Sequence, residues 1–122
     1  MYIPDRGDVV WIDFEPTKGK EIGKYRPALV YSSKAYNKAT SLMICSPIST
    51  SIRNTPSEVK INNLDSPSVV VTNIVLTMSW KEKGVKFESK VKQETYNDTL
   101  ANLLPLITGK PYEHDQYIGQ AS

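Results

Sequence analysis

The residues best equipped for chemistry lie between positions 18 and 26, where Lys18, Lys20, Glu21, Lys24 and Arg26 crowd one short Gly-containing loop. Four cations and one carboxylate suit a phosphodiester. The cations bind the backbone and stabilise charge that builds in a transition state, while the carboxylate can move a proton. On spacing alone, a solvated charged hairpin is the simpler reading. Other chemistries are excluded by what the chain lacks. Its single histidine, His114, lies close to the C-terminus, which rules out a two-histidine ribonuclease mechanism. No Cys/His cluster has zinc-ligand spacing, and neither a P-loop nor a dinucleotide fingerprint occurs. Cys45 follows the apolar run 42–44 and has no base nearby in sequence, so it reads as an inert core thiol. Arginine, a carboxylate and hydroxyls remain, and no cofactor or metal is expected.

The elements that must position these groups are mostly strands. With 122 residues the chain fits one domain with a real core. Its net charge of +2 does not by itself announce a nucleic-acid binder; distribution matters more, and Lys81, Lys83 and Lys86 form a second basic cluster. β-rich runs bounded by polar or Pro/Gly turns predict strands over 7–14, 26–32, 41–47, 57–61, 68–73, 75–80 and 85–91. Short strands at this spacing argue for a mainly β barrel or sandwich. After Lys92 the period changes: Leu100, Leu103, Leu104 and Ile107 make the i, i+3, i+4, i+7 stripe of an amphipathic helix. Pro105 is expected to kink or tighten its last turns and Gly109 to stop it. Residues 1–109 thus form the domain, and 110–122 a tail expected to lie loosely. One cysteine permits no intramolecular disulfide, and no leader or membrane-length apolar stretch is present, so a soluble, cytoplasmic protein is expected.

One segment carries more specific information. Gly7, Asp8, Trp11, Asp13, Pro16, Thr17, Gly19, Glu21, Arg26, Pro27 and Ala28 fill the pattern G-D-x-x-W-x-D-x-x-P-T-x-G-x-E-Q-x-G-x-R-P-A. In this the chain resembles the MazF/PemK family of bacterial toxins. Ser46 to Thr50 resembles the family's strand-end segment, and 68–70 and 77–84 resemble its next strands. The resemblance spans roughly residues 3 to 109 and implies an SH3-like β-barrel with a C-terminal α-helix. It also implies a homodimer that cleaves single-stranded RNA without metal, and a partner antitoxin that blocks the RNA groove.

For such a reaction the protein need only bind, orient and adjust protonation, because RNA brings its own nucleophile, the 2′-OH. Attack on the adjacent phosphate leaves a 2′,3′-cyclic phosphate and a free 5′-OH. By resemblance Arg26 holds the essential arginine's position; its guanidinium fork suits two nonbridging oxygens. An ion pair with Glu21 or Asp8 is the plainer role for the same side chain. Ser49, with Thr50 following it, stands where the family usually carries threonine and can donate to a phosphoryl oxygen. Glu21 is the candidate proton carrier. Lys18, Lys20, Lys24 and Lys81 are candidates for phosphate contacts, with Tyr25 and Trp80 for stacking on bases; Trp80 suits a core or a dimer interface as well. The chain also departs from the pattern. Ile22 replaces Gln, Asn73-Ile74 replaces Asp-Gln, and Leu76 stands where a base is common. Asn73 can hydrogen-bond to RNA but cannot act as a base. Three readings follow: a toxin endoribonuclease, a related barrel that binds antitoxin or RNA without cutting, and, third, a peptide-binding SH3-like module.

Overall fold

The computed structural model describes residues 1–13 and 25–113. Seven strands and two helices follow one another as β1 (Asp8–Asp13), β2 (Tyr25–Val30), α1 (Lys34–Thr40), β3 (Leu42–Ser49), β4 (Glu58–Ile61), β5 (Ser68–Val71), β6 (Leu76–Ser79), β7 (Lys86–Lys90) and α2 (Gln93–Thr108). All pairings are antiparallel, in the order β4-β5-β3-β2-β1-β7, with β6 also on β3. The sheet curls into a half-barrel, and the mainly β fold with a C-terminal helix is as the sequence predicts.

β3 makes the curl possible. Its first half, Leu42 to Cys45, pairs with β6, whereas Ile48 and Ser49 pair with Val70 and Val69 of β5. On its other side, residues 45–47 pair with β2. One strand therefore belongs to two sheet segments, and its far end, at Ser49, lies where they diverge.

The sheet is buried on both faces. Val9, Leu29, Ile48, Val70, Tyr96 and Leu103 belong to one apolar cluster, into which α2 packs. Val10, Ile12, Ala28, Val30, Met43 and Cys45 form a second cluster, closed by Trp80. Successive side chains of a strand point to opposite faces, so β1 and β2 read as apolar runs and not as alternations. Each fully buried aliphatic contributes about 1.5–3 kcal/mol relative to exposure. The Cys45 thiol is free and buried, and burial pushes its pKa up to about 12, which fits an inert core group.

Ahead of β1, Gly7 adopts φ +85°, a left-handed conformation that suits a residue without Cβ. Its N–H donates to Val30 O at 2.8 Å and its carbonyl accepts from Val91 N at 2.9 Å, which ties the chain entrance to β2 and to the end of β7. Asp8 then secures the N-terminal segment. Its buried carboxylate accepts from Tyr2 Oη at 2.6 Å and Asp5 N at 2.9 Å, and pairs with Lys90 Nζ at 2.8 Å. Desolvation, reinforced by the Asp8 hydrogen bond, pushes the Tyr2 phenol far above its ordinary value.

Helix α1 is an addition to the sequence reading, which expects one helix only. It has seven residues and is capped by Ser33 Oγ, which accepts from Tyr36 N. Helix α2 continues through Pro105 to Thr108 and ends at Gly109 (φ +71°), whose N–H donates to Pro105 O. Beyond it Tyr112 is half-buried, close enough to Tyr96 to act on its ionisation, so this stretch of the tail lies against the domain. Residues 114–122, and with them His114, lie outside the described residues.

Candidate functional site

At the open end of the strands, a groove of about 860 Å³ runs between β2, the end of β3 and the turn after β5. That size falls in the usual range for bound organic groups, about 300–1,000 Å³. Arg26, Ser49, Thr50 and Asn73 all line it.

The β2–β3 ladder explains why Arg26 and Ser49 meet. Ala28 lies opposite Pro47; the same antiparallel register, continued two residues towards the open end, sets Arg26 opposite Ser49. Pro27 and Pro47 also line the groove beside them. Proline lacks a ladder donor, and the β2–β3 ladder ends at Ala28 and Pro47, while Arg26 stays paired with Ile12 of β1 and Ser49 with Val69 of β5. Arg26 is exposed and, among the described residues, makes no ion pair or side-chain hydrogen bond. Of the two plainer partners, Asp8 does not pair with Arg26, since it is buried and held by Tyr2, Asp5 N and Lys90, and Glu21 lies outside the described residues.

Ser49 Oγ accepts from Ser51 N at 3.0 Å. That bond fixes the oxygen and leaves the hydroxyl proton available to a ligand. It thereby supplies part of the order that a threonine methyl would otherwise give. Asn73 follows β5, exposed, in a turn held by Ile74 N on Val71 O and by Ser46 Oγ on Ile74 O. Ile74, 44% exposed, lines the groove as an apolar side chain. Leu76 is half-buried against the second apolar cluster.

Other candidates are not in the groove. Trp80 is corrected from a base-stacking to a core residue: it is 5% exposed, and its Nε1 donates to Asn37 O at 2.9 Å, so no ring face is offered to a base. Tyr25 neighbours Arg26 on β2 and therefore points to the opposite side. Lys86 Nζ lies 5.9 Å from its ring centre, and neither residue lines the groove. Lys81 is exposed in the turn after β6, also outside it. Glu21, Lys18, Lys20 and Lys24, together with Ile22, lie outside the described residues.

Two groove residues carry no expectation from the sequence. Trp11, on β1 opposite Pro27, lines the groove with Nε1 donating to Glu88 Oε1 at 2.9 Å. Arg53, in the loop between β3 and β4, supplies a second guanidinium. A signal for Trp11 exists, because the motif places it one strand from Arg26; nothing marks Arg53 beyond its charge. Among the described residues no group of three or more His, Cys, Asp or Glu could hold a metal, and no helix is long and apolar enough to cross a membrane.

Residues 5–107 match the family model described as PemK-like, MazF-like toxin of type II toxin-antitoxin system. The chain is 36% identical over 106 residues to the endoribonuclease toxin MazF of Escherichia coli K12, covering 87% of this chain and 96% of that one. It is 25% identical over 109 residues to endoribonuclease PemK of Escherichia coli, covering 85% and 82%. Among solved structures it is similar to MazF of Deinococcus radiodurans, with a TM-score of 0.77 at 30% identity, covering 90% of this chain and 100% of that chain. A MazE–MazF structure from the same organism gives 0.81 at 28% identity with the same coverage.

Proposed function

The chain belongs to the PemK-like, MazF-like family of type II toxins, and from that membership we propose that it is a toxin endoribonuclease that cuts single-stranded RNA. The observation that carries the proposal is the exposed Arg26 guanidinium, without an ion pair among the described residues, lining the same groove as the Ser49 hydroxyl. An exposed arginine beside an oriented donor is a site for a phosphate. It is complementary to a phosphoryl group that gains negative charge.

In the reaction, the ribose 2′-oxygen attacks the adjacent phosphorus as its proton leaves to a base. The bond to the 5′-oxygen breaks, and that oxygen takes up a proton. The products are a 2′,3′-cyclic phosphate and a 5′-OH. Arg26 holds the two nonbridging oxygens, and Ser49 donates a further hydrogen bond. Asn73 has no proton-accepting carboxylate, so Glu21 is the base assigned in this scheme. Trp11 takes over the stacking role expected of Trp80, with Glu88 fixing the ring for a base next to the cut. The reaction needs no metal, and the enzyme acts in the cytoplasm as a homodimer controlled by a cognate antitoxin. Support for a dimer comes from Leu106 and Ile107, 64% and 70% exposed on the last turn of α2. Support for an antitoxin comes from MazF structures solved with MazE.

The second reading, a barrel that binds RNA without cutting, is favoured by Asn73 and Ile74 in the groove where relatives carry Asp and Gln. Incubation with long single-stranded RNA in excess EDTA, followed by mapping of fragment ends, separates the two. Discrete fragments with cyclic-phosphate and 5′-OH ends are expected. Arg26→Ala is expected to cut at least about 100-fold more slowly, the usual loss when a transition-state donor is removed. RNA left intact across many sequences by protein that still binds it would establish binding without cleavage.

A further inference from the structure

Arg53 lies in the loop that joins β3 to β4, exposed and, among the described residues, without an ion-pair partner. It lines the same groove as Arg26 and Ser49. A long side chain on an unanchored loop would be a poor ligand, since ordering it on binding costs affinity. This loop is anchored. Glu58, the first residue of β4, turns its carboxylate back into it. Oε1 and Oε2 accept from Arg53 N at 3.2 and 3.1 Å, and Oε1 accepts from Thr55 N at 2.9 Å.

The Arg53 and Thr55 N–H groups converge on one carboxylate around Asn54, which adopts a left-handed φ of +57° between them. This is the nest geometry by which main chain binds an anion. Glu58 N returns a bond to Thr55 O at 3.1 Å, closing the turn. The Thr55 N–H first, then the Arg53 N–H and the Arg53 charge, hold the Glu58 carboxyl below its ordinary pKa against its desolvation. Its negative charge, facing a groove for an anion, is spent on the loop's own N–H groups.

We infer that Arg53 binds a second phosphate of the RNA, next to the one held by Arg26, and that Glu58 is the positioning residue that fixes the loop carrying it. The inference rests on the RNA-cleaving function above and adds a binding contact to it. Arg53 touches a phosphate that does not react, so its contribution is to binding and not to the chemical step. Glu58 touches no RNA and acts only through the loop backbone.

The test uses the full-length protein and two measurements. One is the affinity for a fluorescein-labelled single-stranded oligoribonucleotide that spans the mapped cut and carries a 2′-O-methyl group at the attacked ribose. The other is kcat and KM on the unmodified oligonucleotide. Arg53→Ala is expected to weaken binding about tenfold and raise KM with kcat little changed. The slope of log affinity against log salt should fall by about 0.7, the value of one phosphate contact on a single strand. Arg53→Lys should keep that slope. Glu58→Ala should reproduce the Arg53→Ala loss, and the double variant should be no weaker than either single one. Glu58→Gln, which keeps one acceptor oxygen and guards against misfolding in the alanine variant, should fall between. Wild-type affinity and salt slope in Arg53→Ala, in protein that still cuts RNA through Arg26, overturn this inference alone. Additive losses in the double variant overturn the positioning role of Glu58. Wild-type protein that neither binds nor cuts RNA overturns this inference together with the proposed function.

Discussion

Trp11 and Trp80 are chemically the same residue in opposite situations. Trp11 faces the groove with Nε1 tied to Glu88, and Trp80 is sealed in the core with Nε1 tied to Asn37 O. Iodide should therefore quench only the Trp11 component of the emission. RNA bound to the slow-cutting Arg26→Ala variant should protect that component if a base stacks on the ring, a contact worth about 1–3 kcal/mol. Iodide access unchanged by saturating RNA would remove Trp11 from the binding surface. The reason Trp80 misleads a reader of the sequence is physical. Its indole needs a partner, and the carbonyl that provides one belongs to a helix that the sequence barely signals. Arg26 and Ser49 are easier to read, because the motif fixes their order and the ladder register does the rest. The loop carboxylate and lysines of 18–24 are legible as chemistry, whereas their placement depends on a backbone path that residue types do not specify.

At the level of elements, strands announce themselves and α1 does not. Runs such as Val9 to Ile12 and Val69 to Val71 combine β-branched residues with clear turn signals at their ends, so the expected strands differ from those found only at the margins. Lys34–Thr40 is under two full turns long and has no apolar stripe to set its period. Its only buried residue is polar, Asn37, and the cap at Ser33 is the sole local cue. Asn37 nevertheless holds the element in place. Its Nδ2 donates to Pro4 O at 2.8 Å and Ser32 O at 3.2 Å, and its Oδ1 accepts from Ser32 Oγ at 2.6 Å. Asn37→Ala leaves these buried groups unpaired and is expected to cost about 2–3 kcal/mol in urea unfolding, with an unchanged m-value. A loss below half a kcal/mol, on the order of a surface substitution, would show that water replaces the side chain there.

The whole molecule presents apolar surface at the end of α2 that the other described residues do not cover. Leu106 and Ile107 follow Pro105, with Gly109 ending the helix, so this turn projects from the domain. If the proposed homodimer closes over this turn, Leu106→Asp should halve the mass measured by light scattering and leave the circular dichroism of the monomer intact. A dimer that survives Leu106→Asp together with Ile107→Asp would have its contact elsewhere. The fold also depends on ties at its N-terminal end, where Asp8 links Tyr2, Asp5 and Lys90. The Lys90 pair is as hard to foresee as the Trp80 bond, because it joins residues far apart in sequence, whereas Tyr2 and Asp5 are close to Asp8 along the chain.

The position of β3 between two sheet segments bears on how such a protein is kept silent. Arg26 and Ser49 project from the two strands most enclosed by others, whose amides should exchange with solvent only when the entire domain opens. Separating Arg26 from Ser49 therefore requires these central strands to part. Silencing by loosening the fold would mean losing the molecule to proteolysis, so reversible restraint has to come from an occupant, and its release returns a groove already assembled.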